Sequence, residues 1–326
     1  MLGNQRGRNE DFSSEVTQVG SKNKRTRGGV GARVCAAAAG MLLAGAGVMA
    51  QEVTLPDRPD NTNHQQEPFR MIGNIYWVGH TQIGAFLIRT SEGLILMDST
   101  STEQSHWVKE NIEKLGFQMR DIKYILNSHT HEEHMGGIPM FKELSGAKIV
   151  ASKLAADEMA VGGRTDFRED GSEQYKPFRA DQIIEDKGKL TLGDVTLTAY
   201  LTPGHAKGCT TWTMPVEEDG RRYNAVFFCG MATAGIDRAP LLDNPKYPNI
   251  VADYRRSFRV LRSLPCDVYL YARASTIQMH EKLARLKRGE KPNPFVDPAG
   301  CRAYIDQYDK EFNDQLTQQR AAARSR

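Results

Sequence analysis

Ile122-Lys123-Tyr124-Ile125-Leu126-Asn127-Ser128-His129-Thr130-His131-Glu132-Glu133-His134-Met135-Gly136-Gly137 is the stretch on which the reading of this chain turns. It opens with an apolar run, Ile122–Asn127, that predicts a β-strand. It closes with three of the chain's eight histidines inside six residues. In extended backbone, residues i and i+2 point the same way, so His129 and His131 converge on one point beyond the strand's end. Glu133 and His134 follow as the chain turns into a helix expected over Met135–Leu144, and Gly136-Gly137 allow a tight backbone path. Imidazole and carboxylate suit zinc. Two or three histidines from one loop, joined by one from elsewhere, make a catalytic zinc site with an open position. A polar histidine cluster without metal fits this spacing less well.

The missing ligand is expected at a similar place. Thr202-Pro203-Gly204-His205-Ala206-Lys207-Gly208 follows the predicted strand Val195–Leu201 and puts His205 in a Pro/Gly turn at a strand end. A turn histidine alone is usually just solvated; beside the first cluster it completes a three-histidine set.

Working outward, short β-rich runs precede the cluster at Asn74–Val78, Ala85–Arg89 and Gly93–Asp98, with a helix over Ser101–Leu115 whose Val108, Ile112 and Leu115 share a face. Beyond it come strands at Lys148–Ala151, Thr210–Val216, Ala225–Cys229 and Asp267–Tyr271, after a polar stretch at Gly162–Lys176. Further helices are expected over Val251–Leu264 and Cys301–Leu316. Two similar successions of strands and helices, without a linker, argue for one α/β domain of two layered halves over residues 69–316. Residues 51–68, with three prolines, read as an extended lead-in. Residues 317–326 are expected to be a flexible, fraying tail. His106 and His280 fall on charged helical faces and Trp77 and Trp212 in strands, so the first pair reads as surface and the second as core. Cys209 and Cys229 lie on or beside successive strands and form a candidate disulfide if their Cα atoms come within ~7 Å.

The 326 residues carry 43 Lys+Arg against 40 Asp+Glu, a net charge of +3. Residues 1–50 hold seven of the basic and three of the acidic groups, which leaves 36 and 37 for residues 51–326. The rest is near neutral, with no basic run for nucleic acid to bind. Lys22–Arg33 is basic, Val34–Ala50 is apolar and rich in small residues, and Val48-Met49-Ala50 precedes polar Gln51-Glu52. That is the pattern of an export signal cleaved near Ala50; a membrane anchor is the other reading, but the run falls short of the ~20 residues a span needs. Cys35 follows Arg33-Val34, a poor lipidation site. Export to the periplasm or beyond makes paired cysteines plausible.

His129-x-His131-x-Glu133-His134 with Pro203-Gly204-His205 resembles the metallo-β-lactamase superfamily, and more finely its subclass B3 enzymes. The resemblance covers roughly residues 65–316 and is carried by Gly93–Asp98, the histidine cluster, Leu201–Trp212, Asn244–Pro248 and Leu264–Val268. It implies an αββα sandwich with metal at one end of the sheets and zinc-dependent hydrolysis of a β-lactam, a small-molecule substrate, in the periplasm, with no nucleic-acid or protein partner. It also implies a Cys266–Cys301 disulfide.

Three positions depart from the family pattern. Glu133 stands where the pattern has Asp, Arg273 where it has His, and Met231 where serine is usual. The first metal site (His129, His131, His205) is complete. The second retains Glu133 and His134, but an arginine offers no lone pair and cannot be its third ligand. On one reading Arg273 partly replaces the second metal, pairing with Glu133 or reaching a substrate carboxylate, while a zinc-bound water near pKa ~7 is the nucleophile and Glu133 positions it or shuttles its proton. On the other, Arg273 is a rim salt bridge and a second metal binds weakly through Glu133 and His134. Thr233 is either a substrate contact or a loop hydroxyl, and Met231, where the family serine stands near the metal, is a candidate substrate contact. The competing functions are hydrolysis of a lactone, thioester or phosphoester, and metal binding without catalysis.

Overall fold

The strand Gly93–Met97 displays the packing rule of the whole chain. Ile95 and Met97 enter one apolar cluster while Leu94 and Leu96 enter another, as the two-residue period of a strand requires. A strand that is apolar on both faces must be covered on both, which calls for a layered architecture. The computed structural model describes residues 63–168, 174–233 and 239–325. The expected leader and most of the lead-in lie outside the described residues.

In the first half, β1 (Phe69–Ile72), β2 (Ile75–Trp77), β3 (Phe86–Thr90) and β4 (Gly93–Met97) form an antiparallel meander. Helix α1 (Ser105–Lys114) then crosses to β5 (Ile122–Leu126), parallel to β4. Helices α2 (Glu132–Met135) and α3 (Ile138–Ser145) lead to β6 (Lys148–Ala151), and α4 (Lys153–Val161) to β7 (Gln182–Ile183), completing a seven-stranded sheet in sequence order. The second half makes a five-stranded sheet. In it β8 (Lys189–Leu192), β9 (Val195–Leu201), β10 (Thr210–Glu218) and β11 (Arg221–Phe228) run antiparallel. Helix α5 (Ile250–Ser263) delivers β12 (Val268–Tyr271) parallel to β11, and α6 (Met279–Lys287) and α7 (Pro298–Arg324) follow.

The sheets face one another through Trp77, Phe86, Trp212, Met214 and Phe227, with the Phe86 and Phe227 rings 5.3 Å apart edge to face. Outside the first sheet, Val108, Ile112, Ile138 and Phe141 of α1 and α3 cover Leu94, Leu96 and Ile125. Outside the second, Tyr254 and Phe258 of α5 and Tyr304 and Phe312 of α7 join the larger cluster. The architecture is the expected αββα sandwich.

Three local expectations change. The helix expected over Met135–Leu144 is two helices meeting at Gly136-Gly137. Both glycines have ordinary right-handed φ; they are there because a Cβ would overlap Thr102 or Ser105. The tail does not fray as expected, because α7 continues to Arg324. Leu316 and Gln319 are buried on it, and Gln319 Oε1 accepts from the backbone N–H of Leu241 and Leu242 at 2.8 and 3.0 Å. Residues 63–68 of the lead-in are tied back through a bridge between Gln65 and His80.

Both disulfides are formed, Cys209–Cys229 with a Cα separation of 5.7 Å and Cys266–Cys301 with 6.2 Å. The latter closes a span of 35 residues and pins the start of α7 to the entry of β12. Chain-entropy arguments value such a link at about 4 kcal/mol. Cys266→Ser combined with Cys301→Ser is expected to lower the unfolding free energy by that order, read from urea denaturation against the oxidised parent.

Candidate metal centre

Two loops, one from each sheet, build the site. The indole Nε1–H of Trp212 on β10 donates to the carbonyl of Asn127 at 3.1 Å, and Thr210 N–H donates to the carbonyl of Ser128 at 2.8 Å. Those bonds clamp the segment after β5 to the strand that follows the His205 turn. As the strand-end argument required, His129, His131 and His205 come together, with one nitrogen of each lying within 4.8 Å of the others.

Hydrogen bonds at Nδ1 decide which nitrogen faces inward. Asp98 accepts from Ser128 N–H at 2.7 Å and from Ser128 Oγ–H at 2.8 Å. The hydroxyl's one hydrogen is thereby used, so Ser128 Oγ accepts from His129 Nδ1–H at 2.9 Å. His129 Nε2 is left as a buried lone pair without a partner. Asp98 reaches Ser128 because its backbone takes the left-handed conformation, with φ of 59°. His205 Nδ1–H donates to the carbonyl of Ala232 at 2.7 Å, an oxygen that also accepts from Tyr254 Oη–H at 2.9 Å. Gly230 lies against the His205 ring so closely that a Cβ there would overlap it. His131 differs: its Nδ1 faces Arg168 Nη1 at 3.3 Å.

Burial pushes the pKa values of His129 and His131 well below the ordinary range, and their neighbours' positive charge adds to it. Burial likewise takes His205 down to about 3, with the Arg168 charge next in importance. All three imidazoles are neutral at pH 7, the form that ligates a metal. Three converging neutral imidazoles, two of them with lone pairs fixed at Nε2, fit a metal ion.

The second position is different. His134 is buried, with Nδ1 3.4 Å from Asp98 and Nε2 3.8 Å from Glu133. Arg273, placed after β12 by a bridge to Ile83, sets Nη2 2.5 Å from Glu133 Oε1. Burial acts to raise the Glu133 carboxyl, but His134 and Arg273 outweigh it and hold it below its usual range. A guanidinium therefore sits where a third ligand is needed, and the residues do not fit a closed second metal site.

Met231 is fully buried in the large core cluster, so the expectation that it meets substrate is corrected: it presents no surface. Thr233 is half-buried, two residues further on. His106 and His280 are exposed, and Trp77 and Trp212 are core. Sequence reasoning missed Ser128 and Asp98 as orienting groups, although both lie in stretches it had singled out. It also missed Arg168, inside the polar stretch, and His80. His80 Nδ1 accepts from the backbone N–H of Gln82 and Ile83 at 3.3 and 3.4 Å, and burial lowers its pKa to about 4.

A family profile described as the metallo-beta-lactamase superfamily matches residues 78–218. Native FEZ-1 metallo-β-lactamase from Legionella gormanii superposes with a TM-score of 0.77 at 36% identity, covering 79% of this chain and 98% of that one. The chain belongs to the metallo-β-lactamase superfamily. BJP-1, a subclass B3 metallo-β-lactamase of Bradyrhizobium japonicum, superposes with a TM-score of 0.73 at 36% identity, covering 79% of this chain and 96% of that one. The N-acyl homoserine lactonase AttM of Agrobacterium fabrum is 35% identical over 107 residues, 30% of this chain; the match spans 38% of the lactonase's length. As a superfamily member the chain is a metallo-hydrolase, and its histidine cluster is one that could hold a metal ion.

His80 gives a pH test. Its pKa falls from 6.5 unfolded to about 4 folded, so the unfolded chain takes up the proton first. The stability this neutral histidine contributes is complete above about pH 6.5 and is lost as pH falls toward 4, by roughly 3 kcal/mol. With a chelator present, urea denaturation from pH 7.5 to 4 is expected to show a smaller acid loss in His80→Gln than in the parent, by that order.

Proposed function

We propose that this chain is an exported zinc hydrolase that opens the β-lactam ring, with one tightly held zinc on His129, His131 and His205. The observation that carries the reading is extent. Likeness to the two lactamases holds at 36% identity through 98% and 96% of their chains, the length of a whole domain.

When bound, zinc brings its water to a pKa of about 7 and polarises the carbonyl under attack. The remaining work falls to side chains. Glu133 is held as a carboxylate beside Arg273; such a carboxylate would serve to position a water and accept its proton. The Arg273 side chain is 42% exposed even while paired, so it has N–H groups to offer a substrate carboxylate. Thr233 adds a hydroxyl on the neighbouring segment. With Arg273 unable to ligate, Glu133 and His134 alone are too few to hold a second zinc tightly. The leader pattern in residues 1–50 and the two disulfides support export into an oxidising compartment.

A second reading, hydrolysis of an acyl lactone, draws on the 35% identity to the lactonase; the same centre serves an ester. Purified protein assayed with a penicillin, a carbapenem and an acyl homoserine lactone, with and without zinc, separates the two. Zinc-dependent loss of β-lactam absorbance is expected. Turnover of the lactone alone would replace the reading, and zinc binding with turnover of none would leave a metal-binding homologue. Metal analysis should find about one tight zinc per chain, rising toward two in Arg273→His, which restores a third donor. Two tight zinc ions in the parent would defeat the one-metal account.

A further inference from the structure

The three histidines are not oriented alike. His129 and His205 each give their Nδ1 hydrogen to an acceptor, Ser128 Oγ and the Ala232 carbonyl, which leaves Nε2 as a lone pair. His131 Nδ1 instead faces a donor, Arg168 Nη1, at 3.3 Å. A guanidinium only donates, and a neutral imidazole has one lone pair. The bond from Arg168 therefore uses that lone pair and puts the ring hydrogen on Nε2.

Arg168 is firmly held where it does this. Its Nε and Nη2 donate to the two carboxylate oxygens of Asp166 at 2.9 and 3.2 Å, and its side chain is 4% exposed. Its own backbone N–H also donates to Asp166, at 2.8 Å. Between them Phe167 packs edge to face on Tyr247, ring centroids 5.1 Å apart, which fixes the turn to the body of the fold.

We infer that Arg168 competes with the metal for the lone pair of His131, so that metal binding and the Arg168–His131 hydrogen bond exclude one another. The inference rests on the reading of His131 as a metal ligand. Ligation through Nδ1 displaces the Arg168 N–H directly. Ligation through Nε2 moves the ring hydrogen to Nδ1, where it meets the guanidinium N–H head-on. Either way Arg168 must withdraw. The first route has a partner waiting, since Asp166 Oδ2 lies 3.9 Å from His131 Nε2 and can take up the hydrogen that nitrogen then carries. Two ligands are thus preset for the metal, while the third is set against it. The centre yields its metal more readily than three acceptor-oriented histidines would, and loading moves a guanidinium that stays tethered beside the site.

The test is zinc affinity, measured by competition with a chromophoric chelator, without any substrate. Arg168→Met removes the donor and is expected to tighten zinc binding by about tenfold or more, the worth of a hydrogen bond from a charged group. Arg168→Lys keeps the charge but loses the planar fork that bridges Asp166 to His131; it too is expected to bind zinc more tightly than the parent. Unchanged affinity in Arg168→Met overturns the inference. So does an Arg168→Lys chain that binds as the parent does, because charge alone then accounts for the effect. Nitrogen-15 NMR of the chelator-treated parent, which needs no variant, should show His131 with its hydrogen on Nε2 and Nδ1 accepting. A hydrogen on Nδ1 overturns the proposal even if the variants do not fold. Absence of zinc binding by the parent overturns the metal reading beneath it, whereas failure to open a β-lactam touches only the proposed function.

Discussion

The buried indole of Trp212 must find an acceptor, and the carbonyl it finds belongs to Asn127, at the end of a strand in the other sheet. Everything at the metal centre depends on that cross-sheet bond and its companion from Thr210 to Ser128. Thr210 also pairs with Leu201 across β9 and β10. Fixing β10 against Ser128 therefore fixes where the turn between β9 and β10 emerges. His205 has little choice but to arrive beside His129. The two sheets are held apart at core distance by Phe86 and Phe227 and held in register at their ends by hydrogen bonds. The site is a by-product of that registration.

Within this frame the centre is controlled by which partner each imidazole has, rather than by net charge. Acceptors at Nδ1 of His129 and His205 turn lone pairs inward, and burial keeps the rings neutral. Cations stand on two sides, Arg168 at His131 and Arg273 at Glu133. Each takes up an acceptor that a metal would otherwise use. In the first position the competition is for a lone pair on one ring. In the second it is for a carboxylate, with no histidine left to replace what the arginine cannot give.

Much of this was legible from residues because it follows from strand geometry. The i, i+2 alternation carried His129 and His131 to one point, and the Pro/Gly turn after Val195–Leu201 placed His205 at an equivalent strand end. The sandwich followed from two successions of strands and helices with apolar runs on both faces. What was not legible depends on packing between distant segments. Met231 reads as a site residue by position, yet its side chain turns into the core. The end of α7 was hidden because Gln319 docks through its amide, which leaves no apolar signature. Arg168 lies in a polar stretch that looked like a connector. Only the Phe167–Tyr247 contact and the Asp166 pairing bring its guanidinium to a histidine 37 residues away.

The Cys209–Cys229 link has a meaning beyond stability. Cys209 lies shortly after His205, and Cys229 shortly before Ala232, whose carbonyl orients the His205 ring. Along the chain the partners of that hydrogen bond are 27 residues apart, joined near the site by the Trp212–Phe227 pairing of β10 and β11. With the sulfur bridge, ligand and orienting group are two short arms on a common covalent pivot, and each experiences the other at a high effective concentration. The bridge thus places a covalent tether between the His205 ring and its acceptor close to the site itself. The outer end of the hairpin has anchors of its own, since Glu218 accepts from Arg70 and from the backbone N–H of Gly73, so the two ends of the second sheet are tethered separately.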